Sequence, residues 1–347
     1  MTDIKKYRWL IVVMIVYYAV FFGTGRIIKA GGSASYMLAI IATVVSAVIY
    51  TALYRVKDSK LLYAKYKNTD IRKIVGVFLF VSALVQATAV CSYSVVSITQ
   101  VFMKKSPFPY ILIFVLLPTL FGAYFGIKSV SRYCFIAGVS MVFLIALILA
   151  FAYEDYSFKN IYPVMGKGFP RFGGIVSSIF AFSNIFYLFL LSGREEKNNI
   201  KGEILKIILI SGSVFTAICL VCNLTVPFEA LEQLSDPLLY VSSTVDFSFA
   251  VERSEALVFL VWIFMTFLTL SASMCFVCSI AENTFSLANR KALIGALAIV
   301  VATGSMLIDK WGKGDWFITF SLFWTGCVSI IIPLLLRIMS FFRKEQS

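Results

Sequence analysis

A run of roughly twenty apolar residues recurs ten times between Tyr7 and Phe341, and a helix needs about 20 such residues to cross the hydrocarbon core of a bilayer. Inside that core the backbone has no water to bond, so each run must satisfy its own N–H and C=O groups, which a helix does. Composition agrees: 60% of the 347 residues are hydrophobic and 14% charged, against about 45–50% and 25% in soluble domains. Soluble folding is therefore excluded, and no soluble domain of ordinary size fits between the runs. The chain reads as a single polytopic, all-α membrane domain over residues 1–347.

The spans follow from the runs. Span 1 covers Tyr7–Ala30, interrupted at Gly23-Thr24-Gly25; span 2 Ser33–Tyr54; span 3 Arg72–Phe102, long enough to tilt; span 4 Tyr110–Ile127; span 5 Val130–Tyr153. Span 6 covers Phe172–Ser192, span 7 Ile204–Val226, span 8 Ser254–Asn283, span 9 Ala292–Ile308 and span 10 Trp316–Phe341. The first run, Trp9–Phe22, is followed by Gly-Thr-Gly-Arg rather than a small-residue cleavage site, so it is expected to stay as a span.

Charge sets the expected orientation. With the N-terminus inside, 21 of the 31 Lys and Arg fall in inside loops, most densely between spans 2 and 3. That bias places both termini in the cytoplasm. The loop between spans 7 and 8 carries Glu229, Glu232, Asp236, Asp246 and Glu252 against Arg253 alone, which suits an outside loop. The net charge of +13 sits in short loops, so its partner is the anionic leaflet of the lipid bilayer and not nucleic acid. Trp311 and Trp316 read as interface anchors.

Spans 1 and 6 each open a block of five, and each carries helix-weakening residues. Five is odd, so the blocks, about 7–153 and 172–341, would insert with opposite topology. Secondary transporters built on inverted repeats place their site where such broken helices meet.

Three segments carry a resemblance: Gly126-Ile-Lys-Ser-Val-Ser-Arg132, Ile161-Tyr-Pro-Val-Met-Gly-Lys-Gly-Phe-Pro170, and Val251-Glu-Arg-Ser-Glu-Ala-Leu-Val-Phe-Leu-Val-Trp-Ile263. In order and spacing, across nearly the whole chain, they resemble the B subunit of the nutrient germinant receptors of endospore-forming bacteria. That family belongs to the amino acid–polyamine–organocation transporter superfamily. The resemblance implies a five-plus-five inverted repeat of the amino-acid transporter type with discontinuous helices 1 and 6. It also implies residence in the spore inner membrane, partner A and C subunits, and sensing of a small nutrient that triggers germination. One departure stands out: where the family would continue span 1 as an apolar run ending in Pro, this chain has Arg26-Ile-Ile-Lys-Ala30.

Candidate ligand residues come from polar or helix-weakening positions inside spans. Gly costs about 1 kcal/mol against Ala in a helix, so Gly23, Thr24 and Gly25 mark a weak point whose freed N–H groups could bind a carboxylate; the alternative is a tight packing point for a neighbouring helix. Phe182, Ser183 and Asn184 lie midway along span 6, and the Asn184 amide must face protein or water; interhelical hydrogen bonding is the competing role. On span 3, Gln86, Thr88, Ser92, Tyr93 and Ser94 form a polar patch, from which Tyr93 and Ser94 would close the site opposite span 1. On span 8, Thr269, Ser271 and Ser273, with Thr266, could coordinate sodium together with span 1 carbonyls, or instead bond back to their own helix.

Enzyme chemistry lacks its residues. There is no His, which removes Ser-His and Cys-His pairs and the commonest zinc ligand. Cys219 with Cys222 and Cys275 with Cys278 form two C-x-x-C pairs, but thiolates in hydrocarbon are costly, so they read as small packing residues. No metal or other cofactor is expected beyond the sodium option. No Asp, Glu, Lys or Arg lies at the centre of a span, so a carboxylate proton relay is not expected. The expectation is a nutrient-sensing subunit, with permease or ion-conducting activity open; the alternative is a free-standing ion-coupled amino-acid transporter.

Overall fold

Helices account for every apolar run in the computed structural model, which describes residues 3–53, 69–101, 103–151, 153, 156–164, 166, 172–191, 200–234, 236–244, 254–285 and 289–344. Span 1 is assembled from Asp3–Tyr17, a π-helical stretch Tyr18–Gly23, and Thr24–Gly31. Span 2 is Ser35–Leu53, span 3 Thr69–Val101, span 4 Phe108–Phe125 and span 5 Ile127–Phe151. Span 6 joins Phe172–Phe180, a 3₁₀ stretch Ala181–Ile185, and Phe186–Leu191. Span 7 is Ile200–Thr225, span 8 Ser254–Phe285, span 9 Arg290–Lys310 and span 10 Gly314–Lys344. Two short helices, Phe228–Leu231 and Pro237–Thr244, lie between spans 7 and 8.

Eight helical stretches are long and apolar enough to cross a membrane among the described residues. The first, Lys5–Leu53, holds both spans 1 and 2, and the shorter apolar stretch Gly173–Leu188 is the broken span 6. The count of ten therefore stands, and the chain is an all-α, multi-pass membrane protein. The basic residues Arg55, Lys57, Lys60, Lys65, Lys67, Arg194 and Lys197 lie outside the described residues.

The reversals between neighbouring spans are short because glycine makes them. Gly126 turns span 4 into span 5 at φ 85°, and its N–H caps span 4 by donating to Gly122 and Ala123, both at 3.2 Å. Gly32 does the same between spans 1 and 2 at φ 60°. A side chain at either position would be strained, which fits the tight Gly126-Ile-Lys-Ser turn.

Several spans pack on the span five places later. Span 1 packs on span 6, span 2 on span 7, span 3 on span 8, and span 4 on span 9. Span 1 is the buried axis: Leu10 through Ala19 are all at most 1% exposed, as expected of a helix that is apolar on every side. Spans 4, 5 and 9 turn large apolar side chains outward, among them Phe121, Phe143 and Ile299. Close approach is made by small residues: Gly212 of span 7 lies against Thr43 of span 2, and Gly122 of span 4 against Ser271 of span 8. The Gly122-Ala-Tyr-Phe-Gly126 pattern is thus used inside the chain. Six of the seven cysteines are buried and all seven are free.

At the N-terminal ends of spans 1 and 7, Arg8 of span 1 holds Glu203 of span 7, with Nη2–Oε2 at 2.6 Å and Nε donating at 2.7 Å.

Candidate functional site

The two irregular spans meet at the level of Gln86 on span 3. Its side-chain amide donates through Nε2 to Asn184 Oδ1 and accepts through Oε1 from Tyr187 Oη at 2.5 Å. Its backbone carbonyl accepts from Tyr18 Oη at 3.2 Å. Tyr18 belongs to the π-helical stretch of span 1, while Asn184 and Tyr187 lie in and just after the 3₁₀ stretch of span 6. One residue thus ties both broken spans to the continuous span 3. Gln86 was visible in the sequence as part of a polar patch, but its centrality was not; an amide carrying two acceptors and donors deep in hydrocarbon was the available signal.

The interruption in span 1 falls one turn earlier than Gly23-Thr24-Gly25. The π-helical stretch is Tyr18–Gly23, and the α-helix resumes at Thr24, so Thr24 and Gly25 stand in its first turn. The physical reason is the size of the side chains and not their absence. Tyr17 packs on Phe21 at 5.2 Å between ring centroids, Tyr18 on Phe22 at 4.8 Å, Phe22 on Tyr93 of span 3 at 5.0 Å, and Phe21 on Trp262 of span 8 at 5.8 Å. A turn with one extra residue spreads these rings toward spans 3 and 8. Gly23 closes the widened turn, buried, where an added Cβ would lie 3.4 Å from Phe215 of span 7. Thr24 is 1% exposed and its Oγ1 has no hydrogen-bond partner.

Tyr93 and Ser94 do flank this turn, on different sides. Ser94 gives its proton to the Val90 carbonyl at 2.7 Å and therefore accepts from Tyr17 Oη at 2.8 Å. Tyr93 donates instead to Asp236, in the loop between spans 7 and 8. Asp236 also accepts from Ser97 at 3.4 Å. Burial raises the Asp236 carboxyl above the ordinary carboxylate range, Tyr93 and Ser97 pull it back, and the Asp315 charge pushes it up again.

Phe182, Ser183 and Asn184 are buried together in the 3₁₀ stretch. Ser183 donates to Thr325 of span 10 at 3.4 Å. The Asn184 amino group is buried with no acceptor, in a protein interior where an unmet donor costs about 1–3 kcal/mol. A narrow cavity runs between spans 3, 6 and 10 beside this crossing, lined by Ser82, Gln86, Ser183, Tyr187, Thr325 and Ser329 among others.

The hydroxyls of span 8 are not brought together. Ser271 donates across to the Thr119 carbonyl of span 4 at 3.1 Å, and Ser273 bonds back to the Thr269 carbonyl at 2.9 Å. Thr269 Oγ1 is buried with no partner. Positions 269 and 273 share a helix face while 271 lies on the opposite one, so the three side chains cannot converge on one ion.

Among the described residues no group of His, Cys, Asp or Glu could hold a metal ion. What the crossing offers is neutral: amides, hydroxyls and aromatic faces, with unmet donors on Asn184 and on Trp262 Nε1. Such a lining has the chemistry to hold a small polar solute, and among the described residues it includes no nucleophile–base pair.

No curated protein matches the chain by sequence. Its fold is shared with solved transporters. One is Mhp1, a nucleobase-cation-symport-1 family transporter in a closed conformation with bromovinylhydantoin bound, at TM-score 0.65 and 13% identity over 92% of this chain and 74% of that one. Another is the Eremococcus coleocola manganese transporter in complex with an aromatic bis-isothiourea substituted compound, at TM-score 0.54 and 14% identity over 96% and 78%. Both are transporters with this helical architecture. The family of spore germination proteins matches residues 3–310 of the sequence, and the chain belongs to that family.

Proposed function

We propose that this permease-like protein is the nutrient-sensing subunit of a germinant receptor in the spore inner membrane, with both termini in the cytoplasm and with A and C subunits as partners. The nutrient is a small molecule, an amino acid in this reading, held between spans 1, 3, 6 and 8. Residues 7–153 and 172–341 are its inverted repeats. The observation that carries the reading is the crossing of the two broken spans on Gln86, with the Asn184 amino group buried and unmet beside it. Gly23, Thr24, Tyr93 and Ser94 shape the span 1 side of that site, Phe182 and Ser183 the span 6 side. Ligand binding would favour one arrangement of the bundle and pass that bias to the partner subunits. No cofactor is part of this reading; sodium, if used, would be held by Thr269 and span 1 carbonyls.

A deletion strain tested against a panel of nutrients decides it. The expected result is loss of germination with one nutrient class and retention with the others, restored by the wild-type gene and not by Asn184→Ala. Normal germination of the deletion strain with every nutrient would remove the proposal. The second reading is a free-standing ion-coupled amino-acid transporter, favoured by the fold shared with a cation symporter. Concentrative uptake by the purified chain alone in proteoliposomes, without neighbouring A and C subunit genes, would select it.

A further inference from the structure

Three spans each bring a pair of oxygen-bearing side chains to the narrow cavity beside the crossing. Ser82 and Gln86 come from span 3, Ser183 and Tyr187 from span 6, and Thr325 and Ser329 from span 10. In each pair the two stand four residues apart, which on a helix stacks them on one face. The cavity has room for roughly one water-sized sphere. No carboxylate and no basic side chain lines it among the described residues.

The hydroxyl protons of this lining are spent on other atoms. Thr325 donates to the Ser321 carbonyl at 2.8 Å, and Ser329 to the Gly326 carbonyl at 2.8 Å. With its own proton placed there, Ser329 Oγ accepts from Tyr50 Oη of span 2 at 3.1 Å. Ser183 donates to Thr325 Oγ1 at 3.4 Å, and Tyr187 to Gln86 Oε1 at 2.5 Å. The Tyr187 ring is held in turn by stacking on Phe276 of span 8 at 4.2 Å between centroids. Each of these oxygens keeps at least one lone pair for an occupant. Among the described residues, the Ser82 hydroxyl and the second Nε2 proton of Gln86, whose first goes to Asn184, are the side-chain protons left to face it. A lining rich in acceptors and poor in donors suits a positive occupant and repels an anion.

We propose that this cavity is a binding site for one small, dehydrated monovalent cation, held by oxygens of Ser82, Gln86, Ser183, Tyr187, Thr325 and Ser329. Neutral oxygens in such number can stand in for the hydration shell of a monovalent ion. A divalent ion is bound through carboxylates, which the lining lacks. The site does not include Thr269 of span 8, and it is independent of which nutrient the protein senses. Its occupant would tie the 3₁₀ stretch of span 6 to spans 3 and 10 next to Gln86, so ion binding and the order of the crossing are linked.

The test measures equilibrium binding of radiolabelled sodium to the purified full-length protein in nanodiscs of zwitterionic lipid, with choline chloride holding the ionic strength constant. Unlabelled sodium, potassium and ammonium chlorides compete in separate arms, which rank the cations. Wild type should show one saturable class of sites, displaced by at least one of these cations and not by choline. Ser82→Ala and Thr325→Val each remove one oxygen and should weaken binding by about tenfold or more. Thr325→Ser, which restores the hydroxyl, should bind as wild type does. Ser82→Ala carries the test where Thr325→Val gives no folded protein. Absence of saturable binding would mean that the cavity holds water only, and would remove the proposal while leaving the nutrient-sensing reading untouched. Saturable binding unchanged in both variants, or lost in Thr269→Val but kept in Ser82→Ala, would place the ion elsewhere and overturn it.

Discussion

Glu203→Gln is the most exposing perturbation of the bundle. Glu203 is 1% exposed at the side chain, and Arg8 of span 1 meets it at 2.6 Å and 2.7 Å. The substitution keeps the size of the side chain, removes its charge and leaves Arg8 against a neutral amide. Breaking a fully buried ion pair by one partner costs about 3–5 kcal/mol. Arg8 is 25% exposed, so water returns part of its solvation and the figure falls to roughly 1.5–3 kcal/mol. Lys206 adds little, because it is 55% exposed and 3.4 Å away. At roughly 2–4 °C per kcal/mol, the denaturation midpoint should drop by about 3–12 °C. The measurement is thermal denaturation in nanodiscs of fixed lipid composition at one scan rate, since unfolding of such a chain is rate-governed. The double variant Arg8→Met with Glu203→Leu should recover most of the loss, because apolar replacement of a buried pair is near neutral. A single variant within about 1 °C of wild type, or a double variant no better than the single one, would refute the assignment of this pair as the bond between the N-terminal ends of spans 1 and 7.

Gly212→Val should separate spans 2 and 7, since an added Cβ would lie 2.1 Å from Thr43 Cγ2; about 1–3 kcal/mol of destabilisation is expected, with partial rescue by Thr43→Ala in the same denaturation assay. Gln86→Leu leaves Asn184 Oδ1 and Tyr187 Oη without their partner and should abolish the nutrient response while membrane protein level, read by immunoblot, is kept. Asp236 has a folded-state value raised above its unfolded one, so its stabilising contribution is full below the unfolded carboxylate range and is lost as pH rises through the raised value. Midpoints recorded from pH 4 upward should therefore fall more steeply in wild type than in Asp236→Asn; parallel curves would contradict the shift.

The spans were legible because twenty apolar residues in a row admit few other readings, and no observed end differs from expectation by more than four residues. The irregular stretches of spans 1 and 6 were legible as weak points inside two apolar runs. The exact turn in span 1 was not, because the glycines mark where the regular helix resumes, while the π stretch answers to the rings of Tyr17, Tyr18, Phe21 and Phe22. Asp236 and Glu203 were hidden among charges that flank span ends and usually only set orientation. The failure of Thr269, Ser271 and Ser273 to form one site was in principle readable, since residues two apart on a helix face opposite ways.

The packing of spans 1–4 against spans 6–9 has a consequence for biogenesis. Spans 1–4 leave the ribosome with their best partners, spans 6–9, still unmade. At about 5–20 residues per second the second block, residues 172–341, takes on the order of 10–30 s to synthesise. During that interval the faces of the first block rest against lipid or an insertase, and native structure is assembled after insertion and not during it. The same interleaving means that the chain, cut in the loop between spans 5 and 6 and expressed as two genes, should reassemble in the membrane, whereas either half alone should be degraded.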